Sequence, residues 1–163
     1  MPIVLLRIDE RLIHGQVVVG WGATLHPDRI IVVDDEIAAS SWEQELYGLG
    51  LPEEIRVEFH TVADARERVP EWQDDPARTM VLTRTVEGMS LLAENGVLQG
   101  TEVNIGGLHH APGRRRVLPY VFLSDTERAA LRALAEDGVE VSARDVPGAR
   151  RVDLQHLLGH VGE

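Results

Sequence analysis

Short aliphatic runs alternate with longer amphipathic stretches along almost the whole chain, and this alternation restricts the fold more than any other feature. The aliphatic runs are rich in β-branched residues and nearly continuous in apolar character, which is typical of strands buried in a parallel sheet. They predict strands at Ile3–Ile8, Arg29–Val33, Ile55–Phe59, Thr79–Thr83, Glu102–Ile105, Val117–Phe122 and Val139–Ala143. The amphipathic stretches predict helices at Gly15–Thr24, Ile37–Leu49, Val62–Val69, Gly88–Asn95, Asp125–Asp137 and Leu154–His160.

Capping residues support several of these helices. Ser124 and Glu127 have the spacing of a capping box, and Thr61 precedes a predicted helix as an N-cap. Gly96 and Gly138 stand where helices end, as left-handed C-caps do. Two polar, proline-containing stretches are predicted as surface loops, Pro70–Pro76 and Pro112–Arg116, and the arginines of the second, Arg114–Arg116, are expected to be solvated.

The order of strands and helices predicts the fold class. Strands that alternate with helices are joined by right-handed crossovers, which place helices on both faces of one sheet. We therefore expect an open, mostly parallel α/β sheet with three layers, α/β/α. A chain of 163 residues without a linker-like stretch is expected to form a single domain over residues 1–163.

Composition excludes several kinds of chemistry. The chain has no cysteine, so it has no thiolate nucleophile, disulfide or zinc–thiolate site. All sixteen basic residues are arginine, so Schiff-base chemistry and a P-loop lysine are absent as well. The net charge of −11 argues against nucleic acid as a partner. No metal or cofactor is expected, and the missing signal peptide and apolar span predict a cytoplasmic location.

The first strand leads into the segment that carries the strongest chemical signal. The apolar run 3–6 is followed by a charged turn that ends in His14 and Gly15, and a predicted helix comes next. This position, between the carboxyl end of a buried strand and a helix N-terminus, is where open α/β sheets bind ligands, and it suits a phosphate. Arg11 offers paired donors to such an anion, and the backbone amides of Gly15 and Gln16 can surround it.

Two further charged residues of this segment have open roles. Asp9 either orients His14 by accepting a ring N–H, or holds Arg11 in an ion pair, or bonds its own backbone as a turn residue. For Arg7 we favour a structural ion pair with Asp9 or Asp34. A lone histidine would be interpreted as a helix cap, but the cluster of Arg11, His14 and Gly15, together with the family resemblance described below, favours a nucleophile.

Polar residues later in the chain are candidates for the same site. Thr83, Arg84 and Thr85 end a predicted central strand, so they either line the phosphate pocket or serve a simpler role, with Thr85 as an N-cap. His109 and His110 follow a pair of glycines. Adjacent side chains on an extended segment diverge, so we favour loop histidines near the site over metal ligands.

Several of these motifs together resemble one protein family. The most specific is Arg-Leu-Ile-His-Gly-Gln at residues 11–16, within a similar stretch at residues 7–17 that is followed by Trp21. The likeness continues at residues 30–36, 103–108 and 144–147. The chain resembles the IIB component of the mannose/sorbose family of the bacterial phosphoenolpyruvate-dependent sugar phosphotransferase system, from about Pro2 to about Leu158.

The resemblance implies a phosphoryl carrier with an open α/β fold. His14 matches the histidine that accepts a phosphoryl group, at Nδ1, from a phosphohistidine of a IIA protein or domain. That group then passes to a sugar as the membrane components IIC and IID translocate it. Arg11 matches an arginine that helps to hold the phosphate. Membership would associate the protein peripherally with the inner face of the membrane, through IIC and IID.

Two other functions remain open at this point. In the first, phosphorylation of His14 reports carbon supply to a regulatory partner and no sugar is moved. In the second, the chain is an α/β domain that binds an anionic small molecule at the helix N-terminus without covalent chemistry.

Overall fold

The computed structural model of this protein describes residues 2–159. In this range the strands are β1 (Ile3–Ile8), β2 (Arg29–Val33), β3 (Arg56–His60), β4 (Thr79–Thr83), β5 (Glu102–Ile105), β6 (Arg115–Leu118), β7 (Val121–Leu123), β8 (Glu140–Ala143) and β9 (Val152–Asp153). The helices are α1 (Gly22–Leu25), α2 (Asp35–Ala38), α3 (Ser41–Leu49), α4 (Val62–Asp74), α5 (Val86–Leu92), α6 (Asp125–Glu136) and α7 (Leu154–Gly159). A π-helical turn spans Gln16–Trp21, and a 3₁₀ turn spans Glu94–Gly96.

A seven-stranded sheet organises the molecule, with the strand order β3-β2-β4-β1-β5-β8-β9. All neighbouring pairs are parallel except β8 and β9. From β1 the chain first builds the β2 side of the sheet, returns with β4 and then crosses to β5 on the other side. The carboxyl end of β1 thus lies at a topological switch point, where ligands of open α/β sheets bind.

Side chains along each central strand alternate between two apolar layers, as the period of a strand requires. In β1, Leu6 and Ile8 join one cluster with residues from α4, α5 and α6, whereas Leu5 joins the other. That second cluster contains Trp21 from the π-helical turn and Ile37 from α2. Helices therefore cover both faces, and the predicted three-layer α/β fold is confirmed, with Trp21 in the core.

The prediction of a loop at Pro70–Pro76 is wrong, because α4 continues through Pro70 to Asp74. Proline removes one helical hydrogen bond and normally ends or kinks a helix. Here Val69 and Trp72, on either side of it, are buried against the sheet. Tertiary packing of these two side chains outweighs the local cost.

The predicted strand Val117–Phe122 is a separate antiparallel hairpin instead, formed by β6 and β7 around a turn at residues 119–120. The predicted loop Pro112–Arg116 is shorter than expected, because its last two residues, Arg115 and Arg116, already belong to β6. Both are exposed, but Arg114 is largely buried and forms ion pairs with Glu10 and Glu127.

Other boundaries follow their local signals. The capping box of Ser124 and Glu127 and the cap at Thr61 are both formed, and Gly96 and Gly138 have positive φ angles. The predicted helix Ile37–Leu49 is divided into α2 and α3, because Ser40 caps a new helix. The short antiparallel strand β9 was not predicted, since two residues carry no periodic signal.

Candidate functional site

Arg7, near the end of β1, lies at the centre of a buried hydrogen-bond network. Its side chain has no exposed surface, and acceptors within reach satisfy all five of its N–H donors. Nε and Nη2 donate to Oδ2 of Asp9 over 3.3 and 3.1 Å, and Nη1 donates to Oδ1 of Asn104. The remaining donors reach the carbonyl oxygens of Arg144 and Asp145, at 2.8 and 3.0 Å. The favoured ion pair of Arg7 with Asp9 is thereby confirmed.

The charge of Arg7 is held in a dry environment. Burial is the strongest influence and lowers the pKa of the guanidinium, while the carboxylate of Asp9 opposes this change. Arginine keeps its proton in proteins even so, because its ordinary pKa is far above any relevant pH. The ring of Trp21 lies 5.4 Å from Cζ of Arg7 and adds a cation–π contact. Arg7 is therefore a permanent positive charge next to Asp9.

Asp9 joins this network to the histidine. Its Oδ2 atom lies 3.0 Å from Nε2 of His14, and its Oδ1 atom accepts from the backbone amide of Arg11 at 3.0 Å. Two of the three roles considered for Asp9 are thus filled together, contact with the ring and a turn with its own backbone. The third is not, because the side chain of Arg11 makes no ion pair among residues 2–159.

His14 is held with one nitrogen inward and part of the ring accessible. Thirteen per cent of its side-chain surface is exposed, against one per cent for Asp9. A carboxylate accepts hydrogen bonds, so a neutral ring facing Asp9 carries its proton on Nε2. Nδ1 then holds the lone pair, and it has no partner within the described part of the chain. This tautomer has its nucleophilic nitrogen available.

The loop before His14 depends on an unusual backbone. Leu12 is fully buried and has a φ of 54°, in the left-handed region that leucine seldom adopts. Its amide donates to the carbonyl oxygen of Asp9 at 3.0 Å. The buried side chain compensates for the strained backbone, and the resulting tight turn brings His14 back over Asp9. Strain of this kind is common at functional sites.

Gly106, just after β5, lies so close to the side chains of Arg7 and Asp9 that only a glycine fits there. A Cβ atom at this position would overlap the guanidinium of Arg7 and lie 2.6 Å from Oδ2 of Asp9. The next residue, Gly107, has ordinary space, with Oδ1 of Asp9 at 3.8 Å from a Cβ. Gly106 also donates its amide to the carbonyl oxygen of Ile8 at 2.7 Å. The backbone after β5 is therefore packed directly against the Arg7–Asp9 pair.

The helix that follows His14 begins without a side-chain cap. Gly15 is its N-cap residue and is exposed, and no side chain bonds its first turn. The backbone of Gln16 opens the π-helical turn, while its side chain lies outside the described structure. Uncapped amides at a helix start attract anions. The exposed guanidinium of Arg11 lies in the same loop and is available for the same role.

The loop after β4 adjoins the site through its backbone. The carbonyl oxygen of Thr83 accepts from the amide of Asp9 at 2.9 Å. The Thr83 hydroxyl donates to the carbonyl oxygen of Thr85 at 3.0 Å, and Thr85 caps α5, as one alternative predicted. Arg84 faces Asp34, at 3.5 Å, in a cleft of about 230 Å³. Among the described contacts, none joins these three side chains to His14.

Glu10 links the site to the segment after β5. Its carboxylate accepts from the amide and Nδ1 of His109, at 3.1 and 2.6 Å, and pairs with Arg114. Burial, the largest influence, raises the pKa of Glu10, but the hydrogen bonds from Arg114 and His109 together hold it below its usual value. His110 packs edge-on against Phe122. Both histidines are thus loop residues, as favoured, and His109 contacts Glu10 of the His14 loop. Residues 2–159 contain no cluster of three acidic or histidine ligands suited to a metal ion.

Sequence reasoning missed the residues that support the His14 loop from a distance. Asn104 and Gly106 were noticed only as part of a family-like motif, and Leu12 was not noticed as a turn residue. Two signals were present, a buried-strand arginine at Arg7 and an asparagine at the end of another strand. Each required an acceptor or a donor, but which residues would meet depends on the order of the strands.

Across residues 2–159, each helix is too short or too polar to cross a bilayer.

Comparison with known proteins places the chain in a family. The sequence pattern described as "PTS system sorbose subfamily IIB component" matches residues 3–162. N-acetylgalactosamine-specific phosphotransferase enzyme IIB component 2 of Escherichia coli (strain K12) is 34% identical over 97% of this chain and 100% of its own length. The PTS system mannose-specific EIIAB component of the same strain is 30% identical over 99% of this chain, which covers 50% of that longer protein.

A solved structure agrees with these relationships. The IIBSor domain of the sorbose permease from Klebsiella pneumoniae superimposes with a TM-score of 0.86 at 28% identity, covering 99% of this chain and 98% of that one. The family pattern, the relatives and the fold lead to one assignment. The chain belongs to the sorbose-subfamily IIB components of the sugar phosphotransferase system.

Proposed function

We propose that this phosphotransferase subunit carries a phosphoryl group on Nδ1 of His14. The lone pair of Nδ1 attacks the phosphorus of a phosphohistidine on a IIA partner, a P–N bond forms, and the donor's ring nitrogen leaves with the electrons of the broken bond. During uptake through the IIC and IID components, a sugar hydroxyl oxygen then attacks that phosphorus. The P–Nδ1 bond breaks, its electrons return to Nδ1 of His14, and the hydroxyl proton is released to solvent. The observation that carries the proposal is the bond between Nε2 of His14 and Asp9, which leaves Nδ1 as the available nucleophile.

The buried carboxylate of Asp9 favours both steps. When Nδ1 bonds phosphorus while Nε2 keeps its proton, the ring acquires a positive charge. The carboxylate of Asp9, which pairs with Arg7, lies 3.0 Å from that Nε2 atom and stabilises the charge. A cationic ring is also a good leaving group for onward transfer. Asp9 therefore acts on His14 as an orienting and charge-stabilising residue.

The negative charge of the transferring group requires donors, which the outer part of the loop supplies. In this proposal Arg11 binds phosphate oxygens through its planar guanidinium, since its side chain is exposed. The amides of Gly15 and Gln16 add donors at the uncapped helix start. Thr83, Arg84 and Thr85 form a second phosphate-binding loop, supported by the backbone bond between Thr83 and Asp9.

The partners follow from the same proposal. A IIA domain is the donor, an assignment supported by the mannose-specific EIIAB relative, whose name combines the two components. The membrane components IIC and IID receive the group with a sugar, and the protein works as one cytoplasmic domain at the inner face of the membrane. The relatives are named for different sugars, N-acetylgalactosamine and mannose.

Transfer from a phosphorylated IIA protein of this family tests the proposal. The wild-type chain should gain one acid-labile adduct of about 80 Da in intact-mass spectra. Proton–phosphorus NMR should place the adduct on Nδ1 of His14. His14→Ala should keep its fold, measured by circular dichroism, and lose the adduct. His26→Asn is the matched control, because His26 is exposed at the end of α1 and asparagine tolerates its left-handed backbone.

Two outcomes would contradict the proposal. An adduct on the His14→Ala protein at the wild-type level would place the acceptor elsewhere. Absence of any adduct on the wild-type chain, with a IIA protein that phosphorylates a known IIB subunit, would favour a domain that binds anions without covalent chemistry.

A further inference from the structure

Helix α3 presents an apolar stripe to solvent. Trp42, Leu46 and Leu49 are 67, 61 and 84% exposed, and their spacing of four and three residues places them on one face. No residue of α3 is buried. Scattered exposed hydrophobic residues are common, but three large ones aligned on a nine-residue helix form a contiguous patch, which marks an interaction surface.

Contacts with neighbouring elements fix the orientation of α3 and therefore of its apolar stripe. The side-chain amide of Gln44 donates to the carbonyl oxygens of Ile37 and Ala38, at 2.9 and 3.2 Å, and so holds α3 against α2. On its other side, Tyr47 packs against the apolar cluster that contains Ile37. The orientation that exposes Trp42, Leu46 and Leu49 is therefore set by contacts with the core.

The charge around the stripe has one sign. Residues 34–55 contain no arginine, lysine or histidine, and they contain seven carboxylates. Those that are exposed form no ion pair within the described part of the chain, and they are Asp35, Glu36, Glu45, Glu53 and Glu54. Glu45 lies within the stripe, between Trp42 and Leu49 on the same face. This acidic segment accounts for much of the net charge of −11.

The stripe also begins near the carboxyl ends of the parallel strands, where His14 lies. Strand β2 ends there at Val33, and α2 and α3 carry the chain back toward the amino ends of the strands, where β3 begins at Arg56. Trp42, near the start of α3, is therefore nearer than Leu49 to the carboxyl ends of the strands. The stripe therefore begins on the side of the sheet from which a partner must approach His14.

We propose that the acidic, apolar surface of α3 docks on the cytoplasmic face of the membrane components that receive the phosphoryl group. This inference rests on the proposed function. Cytoplasmic loops of membrane proteins are enriched in arginine and lysine, so they offer a basic rim to the five exposed carboxylates of this segment. The same carboxylates repel an anionic lipid surface and a second copy of this segment. A basic protein surface is thus the occupant that the charges favour.

Vesicle binding tests the docking surface. Inside-out membrane vesicles from the organism that makes this protein are sedimented with the full chain, and bound protein is measured. The triple variant Trp42→Ser, Leu46→Ser, Leu49→Ser should bind about tenfold more weakly or worse, as loss of several interface residues implies. Glu45→Arg should also weaken binding. Glu136→Arg is the matched control, because Glu136 is exposed on α6, on the opposite face of the sheet.

The outcomes separate this inference from its alternatives. Unchanged vesicle binding by the triple variant overturns it. Equal binding of the wild type to liposomes of phosphatidylethanolamine and phosphatidylglycerol would show a lipid surface instead. A dimer mass in light scattering that the triple variant abolishes would show a second copy.

A separate measurement distinguishes failure of the docking surface from failure of the proposed function. The triple variant should accept a phosphoryl group from the IIA protein at the wild-type rate, because the stripe lies outside the His14 loop. If the wild type itself accepts none, the proposed function fails before docking is tested. A triple variant that accepts the group slowly but binds vesicles normally would show that the stripe meets IIA, and would overturn the inference.

Discussion

Two layers of residues at the carboxyl end of β1 place an arginine in opposite environments. The inner layer, Arg7 with Asp9, Asn104 and Gly106, is buried, and every donor of Arg7 has an acceptor. The outer layer, Arg11 with His14 and Gly15, is partly or fully exposed, and the guanidinium of Arg11 has no partner within residues 2–159. The two arginines are four residues apart in one segment.

This difference separates an arginine whose donors are all occupied from one whose donors are available to an anion. A guanidinium whose five donors are all occupied cannot bind an incoming anion without breaking existing bonds, so Arg7 serves to hold Asp9 and, through it, His14. A guanidinium without partners has its donors available, at the cost of ordering a mobile side chain when the anion arrives. The comparison predicts that changes in the inner layer affect stability and transfer together, whereas changes in the outer layer affect transfer alone.

Asp9→Asn should produce the largest effect. It leaves the buried charge of Arg7 without its counterion, and breaking a buried pair in this way costs about 3–5 kcal/mol of unfolding free energy. The neutral amide also no longer stabilises the positive charge that the ring of His14 acquires during transfer, so phosphoryl acceptance should fall together with stability. Urea unfolding and the transfer assay measure the two effects.

Asp125→Asn is the control for this substitution. Asp125 is exposed in the first turn of α6, which Ser124 already caps, and its replacement should cost less than 1 kcal/mol, or about the size of a helix-dipole effect. An Asp9→Asn protein as stable as the wild type would contradict the buried pairing of the inner layer.

Gly106→Ala should follow in size, with a loss of about 3 kcal/mol. The added Cβ meets the guanidinium of Arg7 and Oδ2 of Asp9, and overpacking of this kind forces the backbone or the ion pair to move. Gly107→Ala is a close control, since its Cβ would find Oδ1 of Asp9 at an ordinary 3.8 Å. Equal unfolding free energies for the two variants would show that the contact at Gly106 relaxes without cost.

The two layers also differ in how far the sequence predicts them. The residues of the outer layer lie within a few positions of His14, so one short sequence motif contains all of them. The inner layer is assembled across 97 residues between Arg7 and Asn104 and across 137 between Arg7 and Arg144. A sequence pattern shows that a buried arginine needs acceptors, but it does not show which strands lie side by side.

The same distinction applies to the fold. Strands β1, β2, β4 and β5 have the bounds that their apolar runs predict, because strands buried on both faces carry a strong local signal. The loop predicted at Pro70–Pro76 is wrong, because burial of Val69 and Trp72 continues the helix through the proline. The left-handed backbone of Leu12 was not predicted, because it depends on burial of that side chain in the core.

Arg11→Ala should change transfer and leave stability unaltered. Loss of a positioned cationic donor lowers the rate of a step that develops charge by about 100-fold, and an exposed side chain without partners contributes little to folding. Arg11→Lys should recover part of the rate, because an ammonium keeps the charge but lacks paired donors. Rapid-quench measurement of phosphoryl acceptance and thermal unfolding provide the two readouts.

Arg116→Ala serves as the control for Arg11, since Arg116 is an exposed arginine of the β6–β7 hairpin. A near-normal rate for Arg11→Ala would mean that the amides of Gly15 and Gln16 bind the phosphate without help. Lost stability would place Arg11 in the inner layer and remove the distinction between the two arginines.

Glu10→Gln should have the smallest effect, because Glu10 lies at the boundary between the layers. Hydrogen bonds from Arg114 and His109 lower the pKa of Glu10 in the folded state. The carboxylate of Glu10 therefore stabilises the fold at any pH above its unfolded pKa, near 4.3. This stabilisation is lost as the pH falls through the lower pKa of the folded state. The variant should be less stable by about 1 kcal/mol at pH 7, the scale of one partly exposed pair. Urea unfolding should show this difference shrinking toward zero near pH 3. A difference that stays constant over this range would mean that the carboxylate charge of Glu10 contributes nothing, and that the segment after β5 is held by other contacts.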